Sequence, residues 1–220
     1  MKLVGRYDSP YVRRVGVSLL VLGMSFEHLP LSPFSQAGEL RKFSAIGRMP
    51  VLVLDNGEIL IESAAILDYL DEIAGPSRAL IPTTGEERRK SLRILASATA
   101  ACDKAIAINY ERRRPQEMIF VDWIARCRAQ LDAALSELEG LNLELGDLRP
   151  LKQTEITTAC MFGYIKRVEA NAVSGGRHPL LDRLSAVCEA REEFKACPQH
   201  TTRDDIAGRR PTCPKASQAR

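Results

Sequence analysis

The hydrophobic rhythm of the chain changes near residue 80, and that change limits the possible folds more than any other feature. Before it, short alternating runs are interleaved with helical stretches; after it, apolar residues recur almost wholly at helical spacing. Lys2 to Tyr7 predicts a short strand, and Ser9-Pro10 opens a helix with Ser at the N-cap and Pro at the first helical position. Val12, Val15, Val17, Leu19, Leu20 and Leu22 give that helix an apolar body ending near Gly23. A second strand is expected over Phe26 to Leu31, a weak helical turn over Glu39 to Phe43, and two strands at Val51 to Leu54 and Ile59 to Ile61. Asp55-Asn56-Gly57 between the last two is the strongest hairpin signal in the chain. Ser63 to Ala74 predicts a helix with Ile66, Leu67, Leu70 and Ile73 on one face, stopped by Gly75-Pro76. Strand, helix, strand, short helix, strand, strand, helix describes a sheet covered by helices.

Four further helices are expected at Gly85 to Arg114, Gln116 to Glu139, Thr154 to Ala170 and Pro179 to Glu192, broken at Pro115, at Gly140 to Pro150 and at Gly175-Gly176. The expected organisation is therefore an α/β unit over residues 1–78 and an all-α unit over 86–198. A loosely held tail over 199–220, poor in hydrophobic residues, follows.

Composition narrows the function classes. With 45% hydrophobic and 27% charged residues the chain can bury a core. A net charge of only +3, with no basic stripe, argues against nucleic acid as a partner. No apolar run reaches the roughly 20 residues of a membrane-spanning helix, and charge and Pro come too early for a signal peptide, so a cytoplasmic protein without a membrane partner is expected. The six cysteines form no C-x-x-C pair and no zinc ligand set, so they read as buried free thiols and no metal is expected. All six lie beyond residue 101. The three histidines, His28, His178 and His200, form no hydrolase arrangement with Ser or Cys and an acid.

Three places carry chemistry. Pro50 precedes a strand residue and gives up a ladder hydrogen bond there; a cis Met49-Pro50 bond would turn the Met49 N–H and C=O outward to an extended peptide, while a trans Pro at the start of a strand is the commoner alternative. Glu62-Ser63 opens a helix, where a capping Ser and free N–H groups suit a carboxylate and Glu62 suits an ammonium, with plain capping as the alternative. Ser9, between the first strand and helix, offers a hydroxyl to a thiolate or serves as a bare cap. Lowering a thiol pKa by about two units needs roughly 2.7 kcal/mol, and one hydrogen bond to a charged group supplies about 1.5–3 kcal/mol, so no separate base is required.

Tyr7-Asp8-Ser9-Pro10-Tyr11-Val12-Arg13-Arg14-Val15, Gly47-Arg48-Met49-Pro50-Val51-Leu52 and Glu62-Ser63-Ala64-Ala65-Ile66-Leu67-Asp68-Tyr69-Leu70 together resemble the N-terminal domain of the cytosolic glutathione transferases. That resemblance covers most of residues 1–80 and, more weakly, the helical part to about 198. It implies a thioredoxin-like domain followed by an all-α domain, with glutathione as co-substrate. By it Ser9 activates the thiol, Pro50 is cis, Met49 binds the cysteinyl backbone, Glu62 and Ser63 hold the γ-glutamyl end and Arg48 lies near the glycyl carboxylate. It further implies a homodimer and an electrophile held between the two units.

Tyr11 and Tyr110 are candidates for the electrophile pocket; Tyr7 reads as packing, and for Tyr110 as for Trp123 core is the commoner role of an aromatic in such helices. Arg112-Arg113-Arg114 reads as a solvated helix end before Pro115, and His178 as a loop or capping residue. The chain departs from the family pattern at Thr99, where bacterial members often have an acid, and at Thr154-Glu155-Ile156-Thr157, where Thr157 replaces the Asp of the usual capping box. The activity expected is conjugation of the glutathione thiolate to a small hydrophobic electrophile. A glutathione-dependent isomerase or peroxidase and a non-catalytic glutathione-binding module are the alternatives. A thiol-disulfide oxidoreductase is disfavoured, because position 9 is Ser and the first hundred residues hold no Cys.

Overall fold

The computed structural model describes residues 1–141 and 150–199. The expected tail from residue 200, Cys213, His200 and most of the expected break between Gly140 and Pro150 lie outside these described residues.

Strands β1 (Lys2–Val4), β2 (Glu27–Leu29), β3 (Val51–Val53) and β4 (Ile59–Ile61) form one sheet in the order β2-β1-β3-β4. The pair β1 and β2 is parallel, joined across the sheet by helix α1 (Pro10–Val21); β3 runs antiparallel to both β1 and β4. Each strand is only three residues long, shorter than the runs at Lys2 to Tyr7 and Phe26 to Leu31 led us to expect. Alternation still sorts the side chains. Leu3 pairs with Leu52 and joins the main core with α1 and helix α3 (Ser63–Ala74), whereas Val4 pairs with Val51 and packs with Leu31 and Leu40 of helix α2 (Ala37–Arg41) on the other face.

Beyond the sheet follow α4 (Gly85–Glu111), a 3₁₀ turn at Gln116–Met118, α5 (Val121–Gly140), α6 (Gln153–Val168), α7 (Ala170–Val173), α8 (Pro179–Glu189) and α9 (Glu192–Lys195). The run expected as one helix from Gln116 is thus interrupted at Ile119 and Phe120, both extended in ψ. Helix α6 begins earlier than expected: Lys152 is the N-cap, and its N–H donates to the Glu155 carboxylate at 2.9 Å, while Thr154 and Thr157 are buried inside the helix. His178 holds the N-cap position of α8, as expected, but the first N–H groups of that helix are met by the Glu139 carboxylate, from Leu180 at 2.6 Å and Leu181 at 3.1 Å.

Helix α1 lies between the sheet and α6, and its polar side chains fasten the two parts of the molecule. Ser18 donates to Gln153 Oε1 at 3.0 Å, and the Gln153 N–H donates to the Leu80 carbonyl at 3.1 Å. One hydrophobic cluster therefore runs from Leu3 and Val15 through Ala101 and Ile156 to Leu131 and Phe194. The five described cysteines, Cys102, Cys127, Cys160, Cys188 and Cys197, are all buried free thiols within it, as expected. Trp123, expected as core more than pocket, is 38% exposed near the start of α5, and Ile73, expected on one face of α3 with Ile66, Leu67 and Leu70, is 46% exposed while those three are buried. Among the described residues, no helix is long and apolar enough to cross a membrane.

Candidate functional site

A cavity of about 590 Å³ opens where the end of β1, the first turn of α1 and the chain before β3 face the last turns of α4 and α6. Its sheet-side wall holds Ser9, Tyr11, Arg48 and Met49; its helical wall holds Tyr110, Arg113 and Arg167.

Ser9 is the N-cap of α1, with extended backbone (φ −76°, ψ 121°), and Pro10 occupies the first turn. Its Oγ accepts the Val12 N–H at 3.4 Å, a long bond for a cap. Among the described residues its hydroxyl donates to no protein acceptor, so the proton can be given to a group in the cavity. The two neighbouring phenols are already committed. Tyr7 is buried and stacked on His28 with ring centroids 4.0 Å apart, and burial, with the Cys197 thiol, pushes its pKa far up. Tyr11 lines the cavity, but its hydroxyl donates to Asp103, and burial, followed by Cys102 and Asp103, raises its pKa well beyond the usual phenol value.

The Met49-Pro50 bond is cis, and Met49 lines the cavity. Gly5 permits its approach: a Cβ there would meet Val12 Cγ2 at 2.7 Å and Met49 Cβ at 3.0 Å, and the Gly5 φ of +125° suits only glycine. Arg48 pairs with Glu62 at 3.1 Å across the surface beside the cavity. Glu62 has φ +65°, ψ 123°, the one non-glycine residue with positive φ among those described, and such backbones cost about 1–3 kcal/mol and cluster at ligand sites.

The expectation for Ser63 needs correction. Glu62, not Ser63, is the N-cap of α3; Ser63 occupies the first helical position, is buried, and accepts a 2.7 Å hydrogen bond from Arg14. Neither Glu62 nor Ser63 lines the cavity itself.

Arg112-Arg113-Arg114 is likewise more than a solvated end. Arg112 pairs with buried Glu169, Arg114 pairs with Glu111 at 3.1 Å, and Arg113 lies against the rings of Phe34 (5.2 Å) and Tyr110 (5.4 Å) in the cavity wall. Tyr110 is exposed rather than core and lines the cavity, edge-on to Phe34 at 6.1 Å. Phe34, Asn109, Tyr164 and Arg167 also line the cavity and were not foreseen. Arg167 donates to the Asp8 carbonyl at 2.7 Å, joining α6 to the loop that carries Ser9. Nothing in their sequence spacing separates these residues from other helix-surface positions. No cluster of three or more His, Cys, Asp or Glu side chains that could hold a metal occurs among the described residues.

A short mixed sheet with a parallel crossover, an antiparallel hairpin after a cis-proline and an all-helical continuation defines a thioredoxin-like domain joined to a helical one. The family model for the glutathione S-transferase N-terminal domain matches residues 3–78. The chain is 31% identical over 167 residues to the uncharacterized GST-like protein YibF of Escherichia coli (strain K12), covering 75% of this chain and 82% of that protein. It is 31% identical over 152 residues to the maleylacetoacetate isomerase of Pseudomonas aeruginosa, covering 64% of this chain and 70% of the isomerase. Among solved structures, a glutathione S-transferase from Methylobacterium radiotolerans in complex with glutathione sulfonate superposes with a TM-score of 0.81 at 27% identity, over 91% of this chain and 96% of the other. Another, from Methylobacillus flagellatus with glutathione bound, gives 0.81 at 26% identity over 90% and 99%. The chain belongs to the glutathione S-transferase family.

Proposed function

We propose that the protein is a glutathione transferase in which Ser9 stabilises the thiolate of bound glutathione, and that sulfur attacks a small hydrophobic electrophile in the cavity. The observation that carries this reading is the uncommitted Ser9 hydroxyl at the N-terminus of α1, in a cavity shared by the sheet side and the helical wall, with both neighbouring phenols spoken for. The helix dipole and the Ser9 proton act on the same sulfur, and holding the two reactants side by side supplies much of the remaining rate. Residues 1–78 would hold the tripeptide: Met49, beside cis Pro50, its cysteinyl backbone, Glu62 its γ-glutamyl ammonium, Arg48 its glycyl carboxylate. Buried Ser63 would act there through its N–H at the start of α3. Residues 86–198 would supply the wall against the electrophile, including Tyr110. A homodimer and a cytoplasmic location complete the proposal.

A second reading, a glutathione-dependent isomerase, is favoured by the similarity to the Pseudomonas aeruginosa maleylacetoacetate isomerase. There the thiolate would add to a carbon–carbon double bond and leave again, so glutathione would not be consumed. The deciding experiment compares wild type with Ser9→Ala across a panel of aryl halides, hydroperoxides and cis-enones. The serine role requires turnover to fall about 10- to 100-fold, as expected for one charge-assisted hydrogen bond, together with the ultraviolet absorption of the bound thiolate. Unchanged turnover and absorption would refute it. Consumption of glutathione separates conjugation from isomerisation.

A further inference from the structure

We propose that the electrophile taken by this cavity carries a carboxylate, and that Arg113 is the residue that selects it. The proposal rests on the transferase reading above and adds a substrate class to it. Three consecutive arginines close α4, and their fates differ. Arg112 is tied to Glu169 and Arg114 to Glu111, but among the described residues no carboxylate pairs with Arg113. It lies instead over the rings of Phe34 and Tyr110 at the exposed rim of the cavity, where its N–H groups are open to solvent and to a ligand.

The charges around it favour the same ligand. Arg48 and Arg167 also line the cavity, and the acid that lines it, Asp8, has Arg6 Nε 3.6 Å from its carboxylate. The other acid near the wall, Asp103, receives the Tyr11 hydroxyl. Arg48 lies on the tripeptide side next to Glu62, and Arg167 reaches back to the Asp8 carbonyl, so Arg113 is the cation placed toward the second substrate. A planar guanidinium presents paired N–H groups that match a planar carboxylate, while Phe34 and Tyr110 supply apolar faces for an unsaturated or aromatic body.

The probe pair is 4-chloro-3,5-dinitrobenzoate and its methyl ester, which differ in charge at one end and share the reacting carbon. The glutathione sulfur attacks the chlorine-bearing carbon, a C–S bond forms, the C–Cl bond breaks with chloride taking its electron pair, and the thiol proton passes to buffer. Wild type should show a KM for the acid at least fivefold below that for the ester. Arg113→Met should lower kcat/KM for the acid 10-fold or more, while changing the ester, and the KM for glutathione, less than twofold. Arg114→Met, which removes an arginine paired elsewhere, should leave both substrates unaffected. Equal losses on acid and ester in Arg113→Met would overturn the proposal, and so would a rise confined to the glutathione KM, which would assign Arg113 to the tripeptide.

If neither compound turns over, calorimetry with the premade conjugates, S-(4-carboxy-2,6-dinitrophenyl)glutathione and its methyl ester, reads the selectivity without catalysis. Tighter binding of the acid, lost in Arg113→Met, would support the substrate class even as the conjugation reading fails. Equal affinity, or no binding of either, would overturn it.

Discussion

The guanidinium of Arg13 on α1 meets the carboxylate of Glu189 on α8 with two parallel hydrogen bonds, at 2.6 and 2.7 Å. Arg13 is 1% exposed and also donates to the Cys197 carbonyl at 2.8 Å, whereas the Glu189 side chain is 42% exposed. Burial opposes the charge on Arg13, and the Glu189 carboxylate more than compensates, so its pKa is raised. The pair fastens the sheet-bearing part of the molecule to its last long helix. Because Glu189 faces water, its removal lets solvent reach one edge of the guanidinium, and Glu189→Ala should cost about 1–3 kcal/mol. Arg13→Ala removes a large buried side chain and should cost about 3–5 kcal/mol. Chemical denaturation of the two variants checks the order, and a larger loss for Glu189→Ala would contradict it.

Gly16 lies in the middle of α1, where helix propensity alone would make alanine better by about 1 kcal/mol. A Cβ at this position would come within 2.6 Å of Tyr7 Cε1 and 3.1 Å of the Tyr7 hydroxyl and Cys197 Sγ. The Tyr7 ring is buried and stacked on His28, so moving it aside would break that stack. Gly16→Ala should therefore destabilise the protein by about 1–3 kcal/mol through overpacking. A melting temperature equal to or above wild type would show that the ring can yield.

Asp71 near the end of α3 accepts the N–H groups of Leu80 at 2.7 Å and Ile81 at 3.2 Å, holding the segment between the two parts of the chain. Burial raises its pKa, and the two N–H bonds only partly oppose that. A carboxyl whose folded pKa exceeds its unfolded value contributes stability below the ordinary carboxyl range, near 3.9, and loses it as pH rises through the raised value. The stability of wild type relative to Asp71→Asn should thus improve on acidification from pH 7 to pH 4. Urea titrations at the two pH values measure it, and a difference moving the opposite way would refute the raised pKa.

The buried thiols should be chemically silent. Burial pushes Cys160 and Cys188 up to about 12, and it raises Cys102 and Cys197 as well. At pH 7.5 a thiol with a pKa near 12 is ionised in fewer than about one molecule in ten thousand. A Cys213→Ser variant should take up no iodoacetamide in its native state and five equivalents once denatured, one for each described cysteine. Native labelling, read by intact mass, would show that at least one thiol is reachable.

Much of this was legible because it is local. Ser9-Pro10 marks the start of α1, Asp55-Asn56-Gly57 joins β3 to β4, and the helical period from Gly85 onward announces the all-α part, since caps, turns and periodicity depend on residues a few places apart. The same local logic misplaced Ser63, because the backbone of Glu62 takes an uncommon conformation that a capping preference does not foresee. It also grouped Ile73 on one face with Ile66, Leu67 and Leu70, although Ile73, at the end of the helix, is 46% exposed.

The amino-acid order by itself determined the family, the order of the elements through α3 and the residue placed at the mouth of α1, because each is written in short-range preferences and contiguous motifs. Only the tertiary structure decided which of three adjacent arginines faces the cavity, why a helical glycine must remain glycine, and which phenols beside Ser9 are already occupied. Those outcomes depend on which side chains from distant parts of the chain compete for the same space and the same partner.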